Sequence, residues 1–93
     1  MGKFKNKLTE EIADGKAAVK GINTTILRRA MIKITMVMAA ADLKDLTVPP
    51  SNRLEKLQDD RKGQYSIRVN DQYRICFEWK NNEATEIEFT DYN

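Results

Sequence analysis

GQYSIRVNDQYRICFEW, residues 63–79, reads as two β-strands joined by a tight loop. Tyr65, Ile67 and Val69 alternate with Ser66 and Arg68, and Tyr73, Ile75, Phe77 and Trp79 alternate with Arg74, Cys76 and Glu78. Successive side chains of a strand point to opposite faces, so each run has one apolar and one polar face. Placing both apolar sets on a common face pairs Val69 with Tyr73, Ile67 with Ile75 and Tyr65 with Phe77. Asn70-Asp71-Gln72 is then a three-residue loop, of the kind that calls for a residue tolerant of left-handed backbone, a role Asn or Asp fills. A two-residue turn at Asn70-Asp71 would set Ile67 opposite Arg74 and break the pattern.

The same register sets Arg68 across from Arg74 on the polar face. Like charges directly opposite one another destabilise a sheet unless something anionic lies between them. Arg61, just before the first strand, is a third cation in reach. Further on, Ile87 and Phe89 repeat the alternation, and pairing them with Phe77 and Ile75 brings Thr90 beside Arg74 and Glu88 beside Cys76. Two readings of the arginines stay open at this point: a phosphate site, or a structural network with Glu88 as internal counter-ion.

Before the hairpin the pattern is helical. Thr9 followed by Glu10 and Glu11 is expected to cap a first helix that packs through Leu8, Ile12 and Val19 and ends near Gly21. A second helix is expected from an Asn23 cap, with Ile22 and Leu27 as a hydrophobic staple. Leu27, Met31, Ile34 and Met38 recur at helical spacing and form its core stripe, broadened by Ala30, Val37 and Ala41. Val48-Pro49-Pro50-Ser51 stops helical structure, because proline lacks an N–H and biases its predecessor toward extended backbone. Arg53–Leu57 is a weaker strand candidate, and Lys3–Lys7 a possible edge strand.

The 93 residues, 41% hydrophobic and 32% charged, fit one α+β domain spanning residues 1–93, and no apolar run reaches the length of a membrane span. MGKFKNKLTEE has charge but no apolar centre, unlike a secretory signal. Cys76 is the only cysteine, so no internal disulfide forms, as suits a cytoplasmic protein. A net charge of +2 conceals a polarity: residues 1–33 carry eight Lys/Arg against three acids, and residues 81–93 carry four acids and no base. Basic segments facing one way concentrate a polyanion; scattered, they are solvated lysines.

PPSNRLEKLQDDRKGQYSIRVNDQYRICFEW, followed by IEFTDYN, closely resembles the HigB branch of the RelE superfamily, the plasmid-maintenance killer proteins. The similarity covers Val48–Asn93, with FKNKLTEE and the long helix fitting more loosely. It implies two N-terminal helices packed on a small antiparallel sheet, operation in the cytoplasm, cleavage of messenger RNA on the ribosome, and a cognate helix-turn-helix antitoxin, with no membrane partner. The chemistry it implies is attack by a ribose 2′-hydroxyl on the neighbouring phosphate, which calls for no cofactor or metal. Arg61, Arg68, Arg74, Asp91, Tyr92 and Asn93 are the implied catalytic set, and Arg53, Lys56, Lys62, Arg68 and Arg74 the implied RNA contacts. A guanidinium fork suits phosphate oxygens, while Lys56 or Tyr92 would move protons only with a pKa brought well below about 10. One departure stands out: the family pattern ends in Asp-Tyr-His, whereas this chain has Asn93 there and no histidine anywhere. Asparagine cannot carry a proton at neutral pH. The alternative reading is therefore a non-catalytic RNA- or antitoxin-binding module of the same fold.

Overall fold

The computed structural model describes residues 3–91, apart from the side chain of Asp59. Helices α1 (Lys7–Ala13) and α2 (Thr24–Ala39) precede four strands, β1 (Glu55–Lys56), β2 (Gln64–Arg68), β3 (Tyr73–Lys80) and β4 (Glu83–Asp91). The strands form one antiparallel sheet in the order β1-β2-β3-β4, with the helices against β3 and β4. This is the α+β arrangement that the strand and helix periodicities predict.

The central hairpin has the expected register: Tyr65 faces Phe77, Ile67 faces Ile75 and Arg68 faces Arg74, while the Val69 N–H donates to the Tyr73 carbonyl at 2.9 Å. The loop works differently from the expectation. None of Asn70, Asp71 and Gln72 adopts a positive φ. Instead the Asn70 side chain accepts from the N–H groups of Gln72 and Tyr73, at 2.9 and 2.8 Å, and closes the loop by side-chain capping. The next turn does use left-handed backbone: Asn81 and Asn82, at φ 54° and 63°, link Lys80 to Glu83 in a two-residue hairpin.

β4 departs from simple alternation. Pairing runs Ile75–Phe89 and Cys76–Glu88 as expected, then shifts to Glu78–Thr85. Phe77 therefore faces two residues, Glu86 and Ile87, in place of the single partner Ile87. Glu86 takes up the extra length at φ 52°, forming a β-bulge. The bulge turns Ala84 as well as Ile87 and Phe89 toward the core, where Ala84 is buried.

The helices need more correction. α1 begins at an Asn6 cap, not Thr9, and stops at Ala13 rather than near Gly21. Gly15, at φ 74°, is the reason: a glycine just past the last turn adopts the left-handed conformation that ends helices. Thr9 is buried one turn in, where its hydroxyl donates to Asn6 Oδ1 at 2.7 Å and accepts from the Phe89 N–H at 3.0 Å. α2 has the expected Asn23 cap, with Asn23 Oδ1 accepting from the Ile26 N–H at 2.9 Å. Its buried face is Ala30, Ile34 and Val37, with Leu27 and Met31 partly buried and Met38 41% exposed. The core axis thus runs along the Ala30 and Val37 side of the expected stripe, through Ile34, and Met38 falls outside it. These side chains meet Ile67, Ile75, Phe77, Ile87 and Phe89 in one cluster.

Pro49 and Pro50 end no long helix; 3-10 turns flank them at Leu43–Thr47 and Pro50–Asn52. The expected 53–57 strand is reduced to the two residues of β1. The expected N-terminal edge strand is a single parallel bridge between Phe4 and Ile87, in which Lys5 N–H donates to the Ile87 carbonyl and Ile87 N–H to the Lys3 carbonyl.

Candidate nucleic-acid interface

The sheet face turned away from the core cluster carries three rows of polar positions. Cross-strand partners share a face, so one row is Arg68, Arg74 and Thr90, the next is Glu55, Ser66, Cys76 and Glu88, and the third is Gln64, Glu78 and Thr85. Two arginines facing one another in a sheet repel, and the protein offsets this by giving each its own partners. Arg68 forms an ion pair with Asp71 in the hairpin loop, and its side chain stays 31% exposed. Arg74 lies inward at 8% exposure.

Arg74 is held by several groups at once. Its Nε donates to Ser66 Oγ at 2.7 Å, its Nη2 donates to the Arg53 carbonyl at 2.7 Å, and Glu55 Oε1 lies 3.8 Å from Nη2. Arg53 itself has a left-handed backbone, φ 47°, at the end of the Pro50–Asn52 turn. The guanidinium fork therefore fastens the segment before β1 to β2, a task for which Arg's fixed donor geometry is suited and an ammonium is not.

Arg61 completes the cationic group from the end of the short turn Asp59–Arg61. Its Nη1 donates to Gln64 Oε1 and to Glu88 Oε1, both at 3.1 Å, and Lys5 Nζ stands 3.7 Å from the same Glu88 oxygen. The counter-ion function that strand pairing suggested for Glu88 is thus exercised on Arg61 and Lys5. Arg61 and Arg68 are both partly exposed, and each is balanced by a carboxylate at or near the surface. The Arg68–Asp71 pair, with Asp71 almost fully exposed, is of the kind that is weak in water, so an incoming phosphate can exchange for that carboxylate at little cost; Glu88, largely buried and shared by Arg61 and Lys5, is held more firmly.

Not every residue singled out from the sequence reaches this face. Arg53 and Lys62 are exposed at its margin, in the segments before β1 and β2. Lys56 pairs with Tyr65 and Asp91 with Tyr73, so both take pleat positions on the core side of the sheet, exposed at its edges. Asp91 Oδ2 accepts from Gln72 Nε2 at 3.1 Å. Tyr92 and Asn93 lie outside the described residues. Reasoning from the sequence missed Ser66, Gln64 and Glu55 as arginine partners. Ser66 was legible in hindsight, since it shares the polar face with Arg68 two residues away.

Cys76 sits beneath these groups, fully buried. Burial pushes its thiol above the ordinary range, outweighing the opposite pull of the Thr90 side chain and then of Arg61 and Arg74. A thiol that is both protonated and inaccessible should react with a thiol-specific reagent about 1,000-fold or more slowly in the folded protein than in denaturant, because labelling waits on opening. Rapid labelling under native conditions would contradict the burial. Among the described residues there is no group of three or more His, Cys, Asp or Glu side chains placed to hold a metal, and no helix long and apolar enough to cross a membrane.

Residues 2–93 match the family described as RelE-like toxin of type II toxin-antitoxin system HigB. The chain is 38% identical over 76 residues to Toxin HigB-1 of Vibrio cholerae, an alignment covering 82% of this chain and 80% of that protein. It is also 42% identical over 55 residues to an uncharacterised protein of Haemophilus influenzae, covering 59% of this chain and 54% of the other.

Proposed function

Because the chain belongs to the HigB family of RelE-like toxins, components of type II toxin-antitoxin systems that pair with an antitoxin, we propose that it is a ribosome-dependent endoribonuclease that cuts messenger RNA on the polar face of its sheet. The observation that carries this reading is the placement of Arg68 opposite Arg74, with Arg61 at the next row of the same face. In the proposed reaction a ribose 2′-oxygen forms a bond to the adjacent phosphorus and the bond from phosphorus to the 5′-oxygen breaks. The products are a 2′,3′-cyclic phosphate and a 5′-hydroxyl. The nucleophile comes from the RNA itself, so no metal is needed to activate a water, and we assign the three proton and charge tasks to side chains with no metal and no cofactor.

The protein then has three tasks: removing the 2′ proton, stabilising the extra negative charge on phosphorus oxygens, and protonating the leaving oxygen. Arg68 and Arg61 take the second, exchanging Asp71 and Glu88 for the phosphate. Arg74 keeps Arg53 and β1 in place beneath them. Arg53 and Lys62 hold the message at the β1 margin of this face, with Lys56 at the sheet edge beside them, and Asp91, Tyr92 and Asn93 are the proton-handling and orienting group. The toxin acts as a single domain in the cytoplasm, and a helix-turn-helix antitoxin silences it.

The test is cleavage of ribosome-bound message, with the new ends identified chemically. Arg68→Ala should slow single-turnover cleavage about 100-fold, the usual effect of removing one preorganised charge-stabilising donor. An unchanged rate would remove Arg68 from the site. The absence of histidine favours a second reading, a non-catalytic RNA- or antitoxin-binding module. Intact message with both this chain and Asn93→His, alongside normal antitoxin binding, would select it.

A further inference from the structure

A second concavity, of about 350 Å³, lies between α2 and the end of β2, lined by Arg29, Ile32, Lys33, Ser51, Arg68 and Val69. Three of the six are cations and none is an acid. Arg29 and Lys33 are one helical turn apart, a spacing at which like charges destabilise a helix. Arg29 has no ion pair among the described residues. Lys33 is fixed in place, for its Nζ donates to Oδ1 of the fully buried Asn52, whose Nδ2 in turn donates to the Leu46 carbonyl at 3.1 Å. Burial, and then Arg29, both pull the Lys33 ammonium below its ordinary pKa. The fold thus holds Arg29 and Lys33 together with no acid among the cleft's own lining, Arg68 alone being balanced, by Asp71 of the hairpin loop, and an anion from outside would relieve the repulsion.

We propose that this cleft is a phosphodiester-binding subsite that carries RNA from Arg68 onto α2. The proposal rests on the RNA-cleaving reading above and extends it to a second surface. Arg68 belongs to both surfaces, lining the cleft and facing Arg74 across the hairpin, so a backbone with a phosphate at Arg68 continues naturally toward Arg29 and Lys33. Ser51 adds a hydroxyl donor to the rim. Ile32, 52% exposed, gives an apolar shelf against which a ribose or base can lie. The phosphodiester belongs either to the message or to ribosomal RNA, and the two sources are separable by experiment.

Arg29→Glu is compared with Arg28→Glu, which makes the same charge change one residue away, on the side of α2 that lines a different groove with Ile12 and Met31. Both positions are exposed, and thermal unfolding of each variant confirms that the fold is kept. Binding is measured to a short mixed-sequence single-stranded oligoribonucleotide and to vacant ribosomes, over a range of salt. Arg29→Glu should weaken RNA binding about tenfold, as expected for loss of a charged hydrogen bond, and lower the slope of log affinity against log salt by about 1. Arg28→Glu should stay close to the parent. Weakening toward the oligoribonucleotide assigns the cleft to the message, and weakening toward vacant ribosomes alone assigns it to ribosomal RNA. Equal losses in the two variants would reduce the effect to net charge and overturn the proposal. So would an Arg29→Glu protein that keeps its RNA affinity and loses antitoxin binding, because the surface would then belong to the antitoxin. If Arg29-dependent RNA binding persists while neither this chain nor Asn93→His cuts message, the cleft stands and the cleavage reading falls.

Discussion

Exchanging Asn93 for histidine should speed single-turnover cleavage of ribosome-bound message by about 100- to 10,000-fold, while RNA and antitoxin affinities stay close to those of the parent. That range is what a positioned acid or base typically contributes. An amide has no proton equilibrium near neutral pH, whereas imidazole titrates at about 6.5, so the histidine variant should also acquire a pH dependence near that value that the parent lacks. Affinity is untouched because it comes from arginine and phosphate. A faster rate with no new pH dependence would mean that the ring orients RNA and does not carry a proton. An unchanged rate, combined with abolished cleavage in Arg68→Ala, would make histidine dispensable and leave the reaction to the basic residues.

Arg74→Ala is the substitution expected to cost most in two assays at once. Removing the guanidinium leaves the buried Ser66 hydroxyl and the Arg53 carbonyl without their donor, which should lower the unfolding free energy by on the order of 3 kcal/mol. Cleavage should fall at least about 100-fold, measured well below the unfolding temperature, because the segment before β1 would no longer be fastened beneath Arg68 and Arg61. Arg74→Lys separates charge from geometry. It keeps the cation but cannot donate to both partners in a fork, so it should recover little of either loss. Full recovery in the lysine variant would mean that a point charge suffices, and the fastening role assigned to Arg74 would be wrong.

The hairpin was legible because its two faces differ so sharply. Once Ile67 and Ile75 must share the core, Arg68 and Arg74 have only one place to go, and the structure has them there. What each arginine does there was not legible, because it depends on partners far apart in the chain, such as the Arg53 carbonyl, 21 residues from Arg74. The bulge at Glu86 left a faint trace in the spacing of Ala84 and Ile87, three residues apart where strict alternation needs an even number. The end of α1 was misplaced because Gly15 and Gly21 are both plausible stops, and both do adopt a positive φ; the first of them ends the helix. Met38 was misplaced because adjacent helical stripes differ by about 100° of rotation per residue, and α2 is apolar over much of its surface. The terminal Tyr92 and Asn93 are legible only through the family resemblance.

The edges of the sheet constrain how anything can associate with it. An open strand edge offers a ladder of unpaired N–H and C=O groups to any passing chain. Here one edge strand, β1, is only two residues long. Along the other, the Ile87 N–H and carbonyl are taken by Lys3 and Lys5, and the Phe89 N–H is taken by the Thr9 hydroxyl. Neither margin gives a long template for strand addition, which guards the toxin against self-association through its backbone. Among the described residues, an antitoxin strand would meet only the two residues of β1 on one side, or have to displace Lys3, Lys5 and Thr9 on the other, so side chains, helices and grooves are the surfaces left more open to it.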